Sequence, residues 1–165
     1  MDGVVVRPAT RDDAEAIARI YNHYVRTSVA TFETVERDAD HRRQWLAEHG
    51  DSHPVLVAES EGEVIGWASV SKWSGRPGWR YTVEASVYLA EDATGAGLGP
   101  RLLDAIIEAG VAKGFHAFIA QIVGDNQASL KMVERAGFHV AGTLTRVGHK
   151  FDRWLDVVLV ERVVE

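Results

Sequence analysis

The chain has 165 residues, 46% of them hydrophobic and 25% charged, with a net charge of −6. These values predict one globular domain over 1–165 with a substantial core. There is no cysteine, which excludes disulfides, a cysteine nucleophile and thiolate metal sites, and we expect no metal ion. The sequence also lacks a long apolar run, a signal-peptide pattern and a concentrated basic face. We therefore expect a cytoplasmic protein that binds neither membranes nor nucleic acid.

The first half of the chain predicts a strand, two helices and a hairpin. The segment VVVRP at 4–8 has strand character, and Thr10 and Asp13 then have the spacing of a helix start. Apolar residues recur at helical spacing over 17–25, and a second helix is predicted over Asp40–His49. Two β-rich segments around a turn at 61–63 predict the hairpin.

The second half alternates predicted strands and helices. A strand over 80–90 has apolar residues alternating with Glu84, Ser86 and Tyr88. A helix closed by Gly114, a strand over 115–123, a helix closed by Gly137 and a final hairpin follow. This order predicts an α/β fold around one twisted mixed sheet.

The segment DATGAGLGPRLL at 92–103 places three glycines where an amphipathic helix begins. A helix N-terminus offers unpaired N–H groups and the positive end of the helix dipole, and glycines let an anion approach them. Pro100 is tolerated only in the first turn, where its missing N–H has no consequence. The segment therefore predicts a phosphate or pyrophosphate site, with a flexible glycine-rich cap as the alternative. It is not a Walker loop, because no Gly-Lys-Ser/Thr follows.

The segments around this loop resemble a known family. The strand ASVYLAED, the Gly-x-Gly turn, the helix LLDAII and the later segment NQASLKMVERAGF resemble the GNAT superfamily of acetyl-CoA-dependent N-acetyltransferases. The resemblance covers nearly the whole chain. It implies the GNAT fold, a single twisted mixed β-sheet flanked by about four helices, and acetyl-CoA as the acetyl donor.

The resemblance also implies which residues bind the cofactor. In the family the Gly-x-Gly turn binds the pyrophosphate, the preceding strand pairs with the pantetheine arm, and the Asn-x-x-Ser helix contacts the cofactor's other side. Asn126 has an alternative role as a helix N-cap, and Ser129 as a surface hydroxyl. By position, the implied residues are Val87, Tyr88, Leu89, Gly95, Ala96, Gly97, Leu98, Gly99, Pro100, Asn126 and Ser129.

Three further segments resemble one branch, the phosphinothricin and methionine-sulfoximine N-acetyltransferases. They are IYNHYVRTSVATFE at 20–33, RYTVEASVYL at 80–89 and VGHKFDRWLDVV at 147–158. Because they occur in the right order, they are more specific than the glycine turn alone. The branch implies a small amine as substrate and a homodimer, with the final strand either at the interface or in the core.

The chain departs from the family at several positions. Thr94 replaces the usual Gln or Arg and Ala96 a frequent basic residue, so phosphate binding would depend on backbone N–H groups and on Arg101. Val133 replaces the tyrosine acid of many members, and we assign no general acid. Phe151 occupies a position where some of the branch have histidine.

Acyl transfer requires a neutral amine, a polarised carbonyl and reactants held together, so a general base is expected near pH 7. Glu84 is the first candidate, because its apolar and hydroxylated neighbours would raise its pKa; the alternative is a solvent-facing carboxylate. His149 is the second candidate for the base, although a lone histidine is more often structural or exposed. The same alternative applies to His23. A backbone N–H near Val87 or Tyr88, freed by a strand bulge, would polarise the carbonyl.

An amino-acid substrate would bring a carboxylate, which arginine binds well. Arg76 and Arg80 flank the turn before Glu84 and are the candidates, with Lys150 as a weaker one; the alternative is a pair of surface arginines. Phe32 and Trp79 are candidate pocket walls, although aromatic residues are more often core.

The sequence leaves three functions open. The first is direct acetylation, in a ternary complex, of the α-amino group of a small amino acid or analogue of the methionine sulfone, methionine sulfoximine or phosphinothricin type. The second is acetylation of another amine, a peptide N-terminus or a polyamine. The third is a non-catalytic acetyl-CoA sensor.

Overall fold

A computed structural model describes residues 3–165, which form a seven-stranded sheet in the order β1-β2-β3-β4-β5-β7-β6. Four helices flank the sheet, as the sequence predicts. Within this range no helix is long and apolar enough to cross a membrane. The strands are β1 Val5–Pro8, β2 Val55–Ser60, β3 Glu63–Lys72, β4 Thr82–Leu89, β5 Ala117–Val123, β6 His139–Lys150 and β7 Arg153–Val163. The helices are α1 Ala14–Thr27, α2 Ala39–His49, α3 Leu98–Ala112 and α4 Gln127–Arg135.

The two faces of the sheet pack on different helices. Side chains alternate along a strand, so Val83 and Ala85 of β4 lie in the core formed with α3. Trp67 of β3 lies in the opposite core, together with Ile17 of α1. Glu84 alternates with Val83 and Ala85 and therefore lies on the face that α1 and α2 cover.

The sheet splits between β4 and β5. These parallel strands pair only where Thr82–Glu84 meets Ala117–Ile119. Beyond that point β4 continues to Leu89 along β3, and β5 continues to Val123 along β7. The two strands diverge and leave an open wedge, which the sequence patterns did not predict.

The predicted ends of α3 and α4 are confirmed. Pro100 is the third residue of α3, inside the first turn. Gly114 follows α3 with a φ of +91°, and its N–H donates to the Val111 carbonyl at 2.9 Å. Gly137 ends α4 with a φ of +84°.

The final strand has a core position in the sheet. β7 lies between β5 and β6, and its residues Leu155, Val157 and Val160 are buried. Of the two roles open for this strand, interface or core, the core role accounts for these side chains. β6, not β7, is the edge strand at this end of the sheet.

Candidate active site

A cavity of about 890 Å³ opens at the split between β4 and β5. Its walls come from β3, β4 and β5, from the glycine loop before α3, and from α1, α2 and α4. The segment Ala30–Phe32, between α1 and α2, also contributes. One cavity therefore brings together the predicted cofactor segments and Glu84.

The glycine loop has the backbone that an anion site requires. Gly95 and Gly97 have φ values of +78° and +82°, and Gly97 is the N-cap of α3. Gly95, Gly97, Gly99 and Pro100 all line the cavity. A phosphate placed there would meet the unpaired N–H groups at the start of the helix.

Three residues near this loop are arranged differently from the prediction. The exposed Ala96 is not part of the cavity wall, and the side chain of Leu98 is buried in the core with α3. Arg101 turns away, because its guanidinium donates to the Val4 carbonyl at 2.8 Å. The prediction that Arg101 assists phosphate binding is therefore wrong, and the loop has only its backbone to offer.

Val87, Tyr88 and Leu89 line the cavity as predicted. The Ala90 N–H donates to the Ile65 carbonyl of β3 at 2.9 Å, and antiparallel pairing alternates along the strand. The N–H and C=O of Val87 consequently point away from β3 and toward the cavity.

The free backbone edge does not come from a bulge. The register of β3 and β4 runs without a break from Lys72↔Val83 to Gly66↔Leu89, so β4 has no bulge that would free an N–H. The divergence of β5 frees the edge instead. By the same alternation the Tyr88 N–H faces β3, which leaves Val87 as the available donor of the predicted pair.

Glu84 lies half-buried in the cavity wall. The side-chain amide of Gln121 on β5 donates to both of its carboxylate oxygens at 3.2 Å. Burial raises the pKa of Glu84 above its ordinary value, and the amide of Gln121 partly offsets this by stabilising the carboxylate. The raised pKa agrees in direction with the sequence-based expectation. Gln121 was missed, although it is the polar residue in the apolar strand FIAQIV.

Helix α4 forms the cavity wall beside the glycine loop, where the Met132 sulfur lies 3.0 Å from the position of a Cβ on Gly99. Asn126 caps it, since its side-chain oxygen accepts from the Ser129 N–H at 3.2 Å, and both residues line the cavity. The Asn126 cap and the predicted cofactor position therefore coexist. Val133 also lines the cavity and is buried, so this position offers no proton.

The other end of the cavity is rich in aromatic residues. Phe32 lines it as predicted, with its ring held against Gly148 of β6, where a Cβ would lie 2.2 Å from the ring. Four aromatic residues that sequence reasoning assigned to the core or left without a site role also line it: Tyr21, Tyr24, Trp45 and Trp67. The buried Arg42 of α2 lies among them. Arg42 shares one face of α2 with Trp45 and His49, and this spacing could have indicated that the arginine faces inward.

Lys150 has a structural position instead of the predicted contact with substrate. It is buried, and its ammonium donates to the carbonyls of Ser28 at 2.6 Å, Thr31 at 2.8 Å and Tyr24 at 3.3 Å. All three of its N–H donors are therefore engaged. Lys150 fixes the segment after α1 that forms part of the cavity wall.

Four further predicted site residues lie outside the cavity. Arg76 and Trp79 belong to an exposed turn, and Arg80 stacks on the Tyr81 ring at 4.5 Å and donates to the Pro77 carbonyl. His149 is exposed and its ring packs on Trp154 at 4.7 Å. None of the four lines the cavity, so the arginine pair and the histidine base lack geometric support. Arg76, Trp79 and Arg80 are near Glu84 in sequence, but the turn before β4 directs them outward.

Three cations and one carboxylate line the cavity. The charged side chains in its wall are Arg42, Glu84, Lys131 and Arg135. Lys131 and Arg135 lie on α4 near the glycine loop, and sequence reasoning missed both. The balance favours ligands that carry negative charge.

Sequence comparison places the chain among known proteins. The profile of the Acetyltransferase (GNAT) domain family matches residues 6–159. The chain is 41% identical over 157 residues to the L-amino acid N-acyltransferase MnaT of Escherichia coli K12, covering 94% of this chain and 91% of that protein. It is 39% identical over 158 residues to an L-methionine sulfoximine/L-methionine sulfone acetyltransferase of Pseudomonas paraeruginosa PA7, covering 94% and 92%.

The phosphinothricin N-acetyltransferase of Streptomyces coelicolor A3(2) is 37% identical over 164 residues, covering 96% of this chain and 95% of that protein. Among solved structures, the acetyltransferase yncA of Salmonella typhimurium with its cofactor acetyl-CoA superposes with a TM-score of 0.97 at 36% identity. That match covers 99% of this chain and 95% of the other. The resemblance seen in the sequence is confirmed, and the chain belongs to the GNAT acetyltransferase family, in the branch of the methionine sulfoximine and phosphinothricin N-acetyltransferases.

Proposed function

We propose that the protein transfers the acetyl group of acetyl-CoA directly to the α-amino group of a small amino acid or analogue, in a ternary complex. Methionine sulfone, methionine sulfoximine and phosphinothricin are the acceptor types that the relatives' names support. The observation that carries the proposal is one cavity bounded by the free edge of β4, the glycine-capped start of α3 and Glu84.

The residues present fit acetyl-CoA. The glycine loop offers N–H groups of α3 to the pyrophosphate, and Lys131 and Arg135 add positive charge to the same wall. The Val87 N–H and C=O are free to pair with the amides of the pantetheine arm, as a further strand would. Acetyl-CoA supplies an activated thioester carbonyl when it is bound.

Glu84 is the proposed general base. An ammonium has no lone pair, so the acceptor must lose a proton before its nitrogen can form the new bond to the acetyl carbon. The raised pKa of Glu84 brings this carboxylate closer to neutral pH and makes it a better proton acceptor. The Gln121 amide holds the carboxylate in the cavity wall.

The Val87 N–H is the proposed stabiliser of the carbonyl oxygen as it gains negative charge. Since the side chain of Val133 has no acidic proton, the departing thiolate would be protonated from water. The first proton of the acceptor's ammonium goes to Glu84 and from there to solvent. The carbon–sulfur bond breaks as the amide forms, and the second nitrogen proton passes to water, which in turn protonates the departing thiolate.

The charges in the cavity discriminate among the alternatives. A polyamine site needs several carboxylates, whereas Glu84 is the one carboxylate in the wall of this cavity within residues 3–165. A sensor without catalysis gives no reason for a half-buried carboxylate in the same cavity as the free N–H of Val87. A peptide N-terminus is a remaining acceptor class that the assay below separates.

We further propose a homodimer through the edge strand β6. Val140, Leu144 and Val147 on this strand, with Trp154 at the start of β7, are 43–60% exposed. Unpaired edges with exposed apolar side chains are typical of interfaces. Sedimentation velocity should give a dimer for the wild type and a monomer for Val147→Asp; a wild-type monomer at tens of micromolar would contradict this. The cytoplasmic location stays a prediction.

The assay that tests the function measures free-thiol release from acetyl-CoA with a panel of amines. The panel contains L-methionine sulfone, L-methionine sulfoximine, L-phosphinothricin, spermidine and a short peptide. We expect turnover with the first three. Turnover with only spermidine or the peptide would refute the acceptor class, and tight coenzyme A binding without any thiol release would support the sensor.

A further inference from the structure

Arg42 occupies an unusual environment. It lies on α2 and is 6% exposed, which makes it the one buried arginine among residues 3–165. Its guanidinium lies over the ring of Tyr21 at 4.4 Å, of Trp45 at 4.8 Å and of Trp67 at 5.5 Å. This aromatic box, Tyr21, Trp45 and Trp67, holds the guanidinium at the wall of the cavity.

The positive charge of Arg42 has no counterion among the residues that the structure describes. It takes part in none of the ion pairs among residues 3–165. Its Nε is fully buried and has no hydrogen-bond partner there. Glu33, the acidic residue whose charge acts on Arg42, is exposed and lies 4.0 Å from Arg37. Buried charges are normally paired, because an unpaired buried charge is costly.

The box is suited to holding an arginine in place while leaving its donors for a ligand. Stacking on aromatic rings stabilises a guanidinium without using its N–H groups. The remaining N–H fork matches the two oxygens of a carboxylate or a phosphinate. The other cations of the cavity, Lys131 and Arg135, lie on α4 beside the glycine loop and serve the proposed cofactor end.

Arg42 and Glu84 lie on the same side of the sheet. Glu84 and Tyr88 lie on the same face of β4. Tyr88 is the register partner of Trp67, and the guanidinium of Arg42 lies over the Trp67 ring. An acceptor with its amine near Glu84 and Val87 would therefore extend toward Arg42.

From this geometry we infer that Arg42 is the anion-binding residue of the acceptor site and pairs with an oxyanion of the amino-acid substrate. The inference rests on the proposed acetyltransferase function and deepens it. It assigns to Arg42 the part that the sequence suggested for Arg76 and Arg80. The oxyanion is either the α-carboxylate or a distal oxyacid such as the phosphinate.

The test compares acceptors that differ in one anionic group. L-Methionine sulfone and its carboxamide differ in the α-carboxylate, and L-phosphinothricin and L-methionine sulfone differ in the distal charge. Arg42→Met should reduce kcat/KM about 10-fold to 100-fold for the acceptor that carries the recognised anion and less than about threefold for its partner. Arg42→Lys keeps the charge without the fork and should fall between. Arg43→Met, on the same helix with its side chain on Asp40, is the matched control.

The acceptor pair between whose members Arg42→Met no longer discriminates identifies the anion that Arg42 binds. Loss on the carboxamide pair assigns the α-carboxylate, and loss on the phosphinate pair assigns the distal group. Equal losses for both members of each pair would make Arg42 structural and overturn the inference. Loss of discrimination in Arg76→Met instead would also overturn it.

A binding measurement separates this inference from the proposed reaction. Because Arg42 contacts Trp45 and Trp67, L-methionine sulfone and L-phosphinothricin should change the tryptophan fluorescence of the wild type when they bind. Arg42→Met should weaken this binding. Arg42-dependent binding without turnover would refute the acetyltransferase proposal and leave the anion site intact. Turnover that does not depend on Arg42 would support the acetyltransferase proposal and refute the anion site.

Discussion

The side-chain amide of Gln121 donates to both carboxylate oxygens of Glu84, at 3.2 Å each, where the pairing of β4 with β5 ends at Glu84↔Ile119. The contact fixes the carboxylate at the point where the sheet opens. Two opposing effects set its proton affinity, since burial raises its pKa and the amide lowers it. Glu84, the proposed base on β4, is thus positioned by a residue of β5, the strand that diverges from β4.

Glu84→Gln should reduce kcat about a hundredfold or more, because a positioned general base contributes on the order of 10²–10⁴ to such reactions. The KM for acetyl-CoA should change little, since the glycine loop and Val87 are untouched. Steady-state thiol release measures both parameters. Glu108→Gln, on the exposed side of α3, is the matched control. Unchanged turnover in Glu84→Gln would remove Glu84 from the mechanism.

Gln121→Leu should move the acidic limb of the pH profile to higher pH. The base acts as a carboxylate, so the rate falls as pH falls through its pKa. Removing the amide donor destabilises the carboxylate and raises that pKa further. Measuring kcat from about pH 5 to about pH 9, with both substrates saturating, follows the limb. A limb that stays in place or moves to lower pH would show that Gln121 does not act on the base.

Gly97→Ala should weaken acetyl-CoA binding, with KM rising about tenfold. The new Cβ would lie where the phosphate approaches the helix N-terminus, and a φ of +82° costs a non-glycine residue about 1 kcal/mol. Gly62→Ala is a close control, because Gly62 in the β2–β3 turn also has a φ of +82° and open space around it. Both variants should lose similar stability in urea unfolding. An equal rise in KM for both would contradict a specific role of the loop.

Lys150→Met should lower the free energy of unfolding by about 2 kcal/mol, because buried carbonyls lose their hydrogen-bond donor. The segment between α1 and α2 should loosen, so KM for the acceptor should rise while KM for acetyl-CoA stays the same. Lys72→Met, at the exposed end of β3, is the control in both assays. A variant as stable as the wild type would mean that other contacts hold this segment.

The sequence predicted what local patterns determine. The glycine loop, Pro100 in the first turn of α3 and the Asn126 cap each depend on a few neighbouring residues, and each was found in place. The position of Glu84 in the cavity followed from strand alternation and family resemblance together.

What depends on tertiary geometry was not predictable. The split that frees the Val87 backbone depends on where β4 and β5 stop pairing. No residue pattern in either strand indicates that point. Arg76 and Arg80 are close to Glu84 in sequence, but the turn before β4 directs them to solvent. Arg42 is distant in sequence, and packing of α2 on the sheet brings it to the cavity.

The hydrogen bonds of Lys150 have a consequence for the enzyme's own chemistry. An enzyme that acetylates amines is exposed to modifying itself wherever a lysine lies beside its reactive site. The Nζ of Lys150 donates all its protons to three carbonyl oxygens, whereas a neutral amine would keep two N–H donors and turn its lone pair toward the third carbonyl oxygen. These contacts favour the ammonium, which has no lone pair for acylation, and they oppose burial, which lowers the pKa of Lys150. We expect these contacts to disfavour self-acetylation of the lysine that shapes the acceptor wall.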